Sequence, residues 1–155
     1  KPQKITLGAC LPFTGEYAAE GRECRLGLQF WQDVVNGSGG VVIDGKKHLI
    51  DVVYSDTFSK TDEGSLVNCV EELLGTHDTI AVMLGTYPSV ANLYVAQAVD
   101  SKKIPFLTST GRHPTLFEKN LEHVFGISPL HQGDLTGALS SIFKNFSPSF
   151  KQQFN

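Results

Sequence analysis

The sequence predicts an α/β fold, a three-layer sandwich around a central, mostly parallel sheet, on three observations. Short apolar runs of the kind found in strands covered on both faces alternate with longer stretches whose apolar residues recur at three- and four-residue steps. Those stretches are long enough for crossover helices, so the chain reads as repeated βαβ units. A length of 155 residues with 41% hydrophobic and 19% charged content suits one domain with a core of its own.

The first strand is read from Lys4-Ile5-Thr6-Leu7-Gly8-Ala9-Cys10-Leu11, which alternates and then becomes apolar throughout before Pro12, Thr14 and Gly15 stop it. A helix from about Gly21 to Asn36 carries Leu26, Phe30 and Val34, with Leu28, Trp31 and Val35 on a flanking stripe, and ends at Asn36-Gly37. Val41-Val42-Ile43, Asp44-Gly45 and His48 to Tyr54 read as a short strand, a tight turn and a longer strand. Thr61-Asp62-Glu63 starts a second helix whose buried stripe is Leu66, Val70, Leu73 and Leu74, ending at Gly75.

Thr79 to Leu84 is a third major strand, closed by Gly85-Thr86-Tyr87-Pro88, after which Ser89 is expected to cap a helix carrying Val90, Leu93, Ala96 and Val99. Ile104 to Thr108 and Val124 to Ser128 are further extended segments, with a loop from Ser109 to Pro114 after the first of them. Leu135, Leu139, Ile142, Phe143 and Phe146 mark a last amphipathic helix from about Gln132. An uncovered stripe of that size favours association, so a dimer or swapped contact through this helix is expected.

Thirteen basic against sixteen acidic residues give a net charge of -3 without blocks of one sign, so no nucleic-acid partner is expected. The longest nearly apolar run, Ile80 to Leu84, is far short of the roughly 20 residues that cross a bilayer, and no leader peptide is read. Cys10, Cys24 and Cys69 have no zinc-site or disulfide-framework spacing. They read as buried thiols, with one pair and one remainder as the alternative in an oxidising compartment.

Dinucleotide and P-loop signatures are absent, and the five histidines show no ligand spacing, so neither cofactor nor metal is expected. A phospho-receiver would need acidic residues where Pro12-Phe13 and Gly85-Thr86 stand. Ser89 lacks the glycine pattern of a nucleophile elbow, although Ser89, His113 and Asp134 could be drawn as a triad.

Parallel sheets bind ligands beyond the carboxyl ends of their strands. The residues collected there are small hydroxyls, glycines, an aromatic and one arginine: Thr14, Gly15, Tyr87, Ser89, Ser109, Thr110, Gly111 and Arg112. Such a set suits holding a carboxylate or other small anion more than breaking a bond. Glu16, Tyr17 and Glu20 are expected at its rim.

The order of these pieces resembles a known family. Leu7-Gly8-Ala9, the run Thr14 to Gly21, Gly39-Gly40-Val41, Asp44-Gly45-Lys46 and Tyr54-Ser55-Asp56 are similar to the amino end of type I periplasmic binding proteins of the leucine/isoleucine/valine-binding kind. Gly85 to Ser89, Ile104-Pro105-Phe106 and Thr108-Ser109-Thr110 resemble its two ligand loops, and Phe125 to Ser128 with Gln132-Gly133 its first crossover between lobes. The resemblance implies a non-catalytic, exported protein, periplasmic or extracellular, that binds a small solute for transport or signalling by closing two lobes. Residues 1–128 would form the first lobe and 129–155 the truncated start of the second.

The same resemblance assigns the carboxylate and amine of an amino-acid ligand to Ser89 and the backbone of Thr110. Arg112 stands where amino-acid binders often have Thr, and Glu20 where branched-chain binders have an aromatic, while Thr57, Phe58 and Pro88 occupy the region of a frequent family disulfide. Implied partners are a small-molecule solute, a second lobe or a homodimer partner, and a membrane permease or receptor transmembrane region. Two readings compete with it: a small α/β hydrolase using Ser89, and a ligand-free dimerisation module of a receptor ectodomain. Asn36-Gly37-Ser38 forms a glycosylation sequon, with Asn36 expected to be accessible; in the second sequon, Asn145-Phe146-Ser147, Pro148 makes a poor acceptor.

Overall fold

The structure, a computed structural model, describes residues 3–128 other than Asp78 and Arg112. The elements run β1 (Gln3–Leu11), α1 (Ala18–Gly37), β2 (Val41–Ile43), β3 (Lys46–Asp56), α2 (Glu63–Thr76), β4 (Val82–Leu84), α3 (Ser89–Asp100), β5 (Phe106–Thr108), α4 (Pro114–Glu118) and β6 (Val124–Gly126). One six-stranded sheet has the order β2-β3-β1-β4-β5-β6. Only β2 is antiparallel, joined to β3 through Asp44 and Gly45, both at positive φ as a tight hairpin turn requires.

The sheet's spine is the β1–β3 pair, in register from Gln3 opposite His48 to Leu11 opposite Asp56. β4 and β5 are shorter than the apolar runs suggest. Pro105 has no N–H to donate, so β5 begins at Phe106, while the Pro105 carbonyl still accepts from Met83 N at 2.8 Å. Ahead of β4, Ala81 N still donates to the Thr6 carbonyl at 2.9 Å.

Alternation along the strands divides the interior in two. Leu7, Ile50 and Val52 pack on the α1 side with Leu28 and Val35. Cys10, Met83 and Phe106 point into the larger core, built with Leu66, Val70 and Leu73 of α2, Ala91, Val95, Ala96 and Val99 of α3 and Leu116 of α4. Each Leu or Phe fully buried there contributes about 1.5–3 kcal/mol relative to exposure.

Helix faces differ from the periodic reading in two places. In α1 the expected stripe Leu26, Phe30 and Val34 is 58%, 72% and 52% exposed, and it is the flanking Leu28 and Val35 that meet the sheet. The reason lies at the helix start, where Gly21 presses on the Pro12 backbone so closely that a Cβ would collide with the carbonyl, setting the rotation of α1. In α3 the expected Ala96 and Val99 are buried and Leu93 packs on the core, but Val90 is exposed and Ala91, Asn92 and Val95 widen the inner face.

β2 covers β3 only as far as His48, which leaves the rest of that edge of β3 unpaired. Polar residues of α1 complete it: Asn36 Oδ1 accepts from Ile50 N and Asn36 Nδ2 donates to the Ile50 carbonyl, both at 2.8 Å, and Gln32 Oε1 accepts from Val52 N at 2.7 Å. Asn36, expected to be accessible, is half-buried, with both of its polar side-chain atoms engaged with the sheet.

α4 was not expected from the sequence, which reads Pro114 as the end of a loop. Proline instead occupies the first turn of α4, His113 Nδ1 accepts from Thr115 N at 3.3 Å, and Leu116 anchors it in the core. The expected helix from Gln132 lies outside the described residues.

Candidate functional site

The winding of the chain creates the crevice. α1 carries the chain from β1 outward to β3 along one face, and α2 brings it back across β1 to β4 on the other, so the loops after β1 and β4 part at a switch point. At that point the rings of Tyr17 and Tyr87 meet edge to face, with centroids 5.5 Å apart.

Two loops on β3 and β1 hold the Tyr17 side. Asp56 at the end of β3 accepts from Phe13 N at 2.8 Å, Thr14 Oγ1 at 2.8 Å and Phe58 N at 2.8 Å. Burial pushes its carboxyl up, but the hydrogen bonds from Phe58, Phe13 and Thr14 outweigh that and hold it below the ordinary carboxylate value. Ser59 Oγ donates to the Thr14 carbonyl at 2.6 Å and accepts from Tyr17 N at 2.9 Å, so the backbone of Tyr17 is placed by the neighbouring loop.

On the other side a buried asparagine joins the loops after β4 and β5. Asn92 Oδ1 accepts from Thr86 N at 3.1 Å and Thr108 Oγ1 at 2.8 Å, while Nδ2 donates to the carbonyls of Thr86 at 2.7 Å and Pro88 at 3.2 Å. Thr108 Oγ1 in turn accepts from Gly111 N at 2.8 Å, and Thr110 Oγ1 donates to the Thr86 carbonyl at 2.5 Å. The backbone donor and acceptor of Thr86 orient the amide unambiguously. Gly85 and Gly111 must lack side chains here, since a Cβ on either would press on the Thr108 hydroxyl and on Asn92.

Ser89 and Thr110 are brought together: Ser89 Oγ donates to the Thr110 carbonyl at 2.7 Å. Ser89 is the first residue of α3 and makes no N-cap bond, contrary to the capping role expected of it, because its hydroxyl is turned to the β5 loop. The same bond leaves the drawn triad without its serine–histidine contact; His113 Nδ1 serves the start of α4, and Asp134 lies outside the described residues.

Ser109 is exposed, and its carbonyl accepts from Ser128 Oγ at 2.8 Å. With Thr110 and Gly85 it borders a cavity of about 540 Å³ that runs under α1, where Leu7, Leu28, Trp31, Val82, Leu84, Leu107 and Ile127 make the walls apolar. Glu16 and Glu20 are exposed on the loop and first turn at the amino end of α1, beside the partly buried Tyr17. Arg112 lies outside the described residues.

Sequence reasoning missed Asn92 and Ser59, and gave no role of their own to Thr86 and Thr108, which lie in the two loops it singled out. Asn92 had a local signal, a poor helix former with a short polar side chain inside an apolar helix. Ser59 had none, since its partners lie in another loop.

A model of the periplasmic binding protein family matches residues 4–149. The chain is 27% identical over 121 residues to a Leu/Ile/Val-binding protein homolog from Brucella melitensis, covering 78% of this chain and 31% of that one. Among solved structures it is similar to the branched-chain amino acid transporter substrate binding protein LivJ from Streptococcus pneumoniae, solved with isoleucine. That match has TM-score 0.66 and 26% identity over 80% of this chain and 33% of the other. A leucine binding protein from Thermotoga maritima shares the fold at TM-score 0.66 and 19% identity, over 90% of this chain and 36% of its own. The chain thus spans about a third of the length of the relatives it matches.

Proposed function

The chain belongs to the periplasmic binding protein family, whose members bind solutes and are not enzymes, and from that premise we propose that residues 1–128 are the first lobe of an exported solute-binding domain. Residues 129–155 begin the second lobe in this reading. The ligand is a small solute, an amino acid or related carboxylate, taken up for transport through a membrane permease or sensed by a receptor. Its polar groups meet Ser89 and the Thr110 backbone, Arg112 takes an anionic group with its planar fork, Tyr87 supplies an apolar wall, and Glu16, Tyr17 and Glu20 form the rim.

The observation that carries the reading is the Ser89–Thr110 contact, held from behind by Asn92. Two ligand loops on separate strands are tied into one rigid surface at the switch point, which serves recognition and provides no activated nucleophile. Leucine- and isoleucine-binding relatives support an amino-acid ligand. Glu20 and Arg112 favour one more polar than a branched aliphatic side chain.

Thermal melting of the chain against a panel of amino acids and small carboxylates tests this, with ester hydrolysis measured alongside. A ligand at 100 times its Kd adds about 2.7 kcal/mol, a readily measured rise in Tm. Arg112→Ala is expected to weaken carboxylate binding about ten- to a hundredfold, the loss of roughly 1.5–3 kcal/mol, with the melting of the empty protein nearly unchanged. Turnover of esters without any solute effect would sink the reading in favour of a hydrolase, and self-association without any solute effect in favour of a dimerisation module.

A further inference from the structure

We propose that Cys10 and Cys69 are a redox pair, converted by a peroxide into a disulfide that ties β1 to α2, with Cys69 as the sulfur that reacts first. The placement follows from the sheet register and the helix period. Cys10 lies opposite Ser55 in the β1–β3 pairing. Ser55 Oγ donates to Glu72 Oε2 at 3.1 Å, and Glu72 stands one turn after Cys69 on the same face of α2. Strand and helix thus bring the thiols together inside the larger core, where Cys10 is 0% and Cys69 3% exposed.

The two sulfurs are not equivalent. Cys69, with Asp56, Thr57, Ser65, Asn68 and Glu72, lines a cavity of about 260 Å³ between α2 and the loop after β3. The Thr57 hydroxyl is buried and has no hydrogen-bond partner among the described residues. A space of that size, far above what one water needs, admits water or a peroxide to Cys69, whereas Cys10 sits behind it. The neighbouring thiols shift in opposite directions: Cys69 beside it, and then burial, push Cys10 up, while Cys10 holds Cys69 down against its own burial and the charges of Glu72 and Asp56. Cys24 is separate, on α1 beside the other cavity, where burial followed by the charges of Glu20 and Glu23 raises its thiol.

The Cys69 thiolate attacks one peroxide oxygen; the O–O bond breaks, and hydroxide leaves with the thiol's proton as water. The Cys69 sulfenic acid is then attacked by the Cys10 sulfur, the S–O bond breaks, and a second water departs with the Cys10 proton. The peroxide gains two electrons and each sulfur loses one.

The experiment exposes the full chain carrying Cys24→Ser to hydrogen peroxide, alkylates it after unfolding and maps the peptides. Expected are the loss of two hydrogens, a peptide holding Cys10 linked to one holding Cys69, and a Tm raised on the order of 10 °C, as closure of a roughly 60-residue loop implies, all reversed by dithiothreitol. In the same background Cys10→Ala should stop at a Cys69 sulfenic acid that dimedone traps. Both thiols remaining open to alkylation after oxidation in the folded Cys24→Ser chain would overturn the proposal. So would a link to Cys24 in the parent chain, a mapping that needs no variant.

Discussion

Asn92 is the residue on which the loops after β4 and β5 depend. Its side chain, 0% exposed, satisfies the N–H and carbonyl of Thr86, the Pro88 carbonyl and the Thr108 hydroxyl. Removing it leaves those groups in a dry interior, where each unpaired one costs about 1–3 kcal/mol. Asn92→Ala is expected to destabilise the fold by about 3 kcal/mol or more and to weaken solute binding as well, since the Ser89 and Thr110 loops lose their common support. Denaturant unfolding measures the first effect and the solute panel the second.

Asp56 does the same for the other rim, with a dependence on pH. Its folded pKa lies below the ordinary value of 3.8, so its contribution is fully present above that value and is lost as pH falls through the folded pKa beneath it. Asp56→Asn should therefore lower Tm above about pH 5 and make little difference in the acid region where the parent has already lost this contribution. Parallel melting curves from neutral to strongly acidic pH would show the two proteins converging; a constant gap at every pH would contradict the assignment.

At the scale of elements, α1 does two things: it covers the sheet with Leu28 and Val35, and it completes β3 with Gln32 and Asn36. Loss of the two Asn36 bonds in Asn36→Ala should cost about 1–2 kcal/mol. Amide exchange at Ile50, whose N–H donates to Asn36, should accelerate more than at Leu7 in the centre of the sheet. In α3 the expected stripe holds at Leu93, Ala96 and Val99 and fails only at Val90, which is left outside while Asn92 takes an inward position for its hydrogen bonds.

For the whole molecule, among the described residues α2, α3 and α4 wind over one face and α1 covers the other. Phe30, Trp31, Phe125 and Ile127 are 72%, 41%, 54% and 66% exposed, and Trp31 and Ile127 border the apolar cavity. Apolar area of that kind favours association with a second copy. Sedimentation velocity over a concentration series is expected to show reversible self-association, and Phe30→Glu with Ile127→Glu should shift it toward monomer. A single species at every concentration would contradict this.

The strands, their mostly parallel arrangement and the positions of the loops were legible in the chain because they depend on period and punctuation; the strand order was not. The buried run Ala9-Cys10-Leu11, the Asp44-Gly45 turn and the Leu66, Val70, Leu73 stripe each specify their element through backbone geometry and apolar burial. The carboxyl ends of those strands, and so the neighbourhood of Tyr17, Tyr87, Ser89 and Thr110, follow once the connections are right-handed. What periodicity does not carry is the rotation of a helix about its axis and the partner of a polar side chain. Gly21 against Pro12 turned α1, and only the packed loops paired Ser89 with Thr110, Ser59 with Tyr17, and Asn92 with the groups of Thr86, Pro88, Thr108 and Thr110. Those pairings join residues distant in sequence, and a hydroxyl or amide chooses its partner by which backbone group burial has deprived of water, a choice made by the tertiary structure alone.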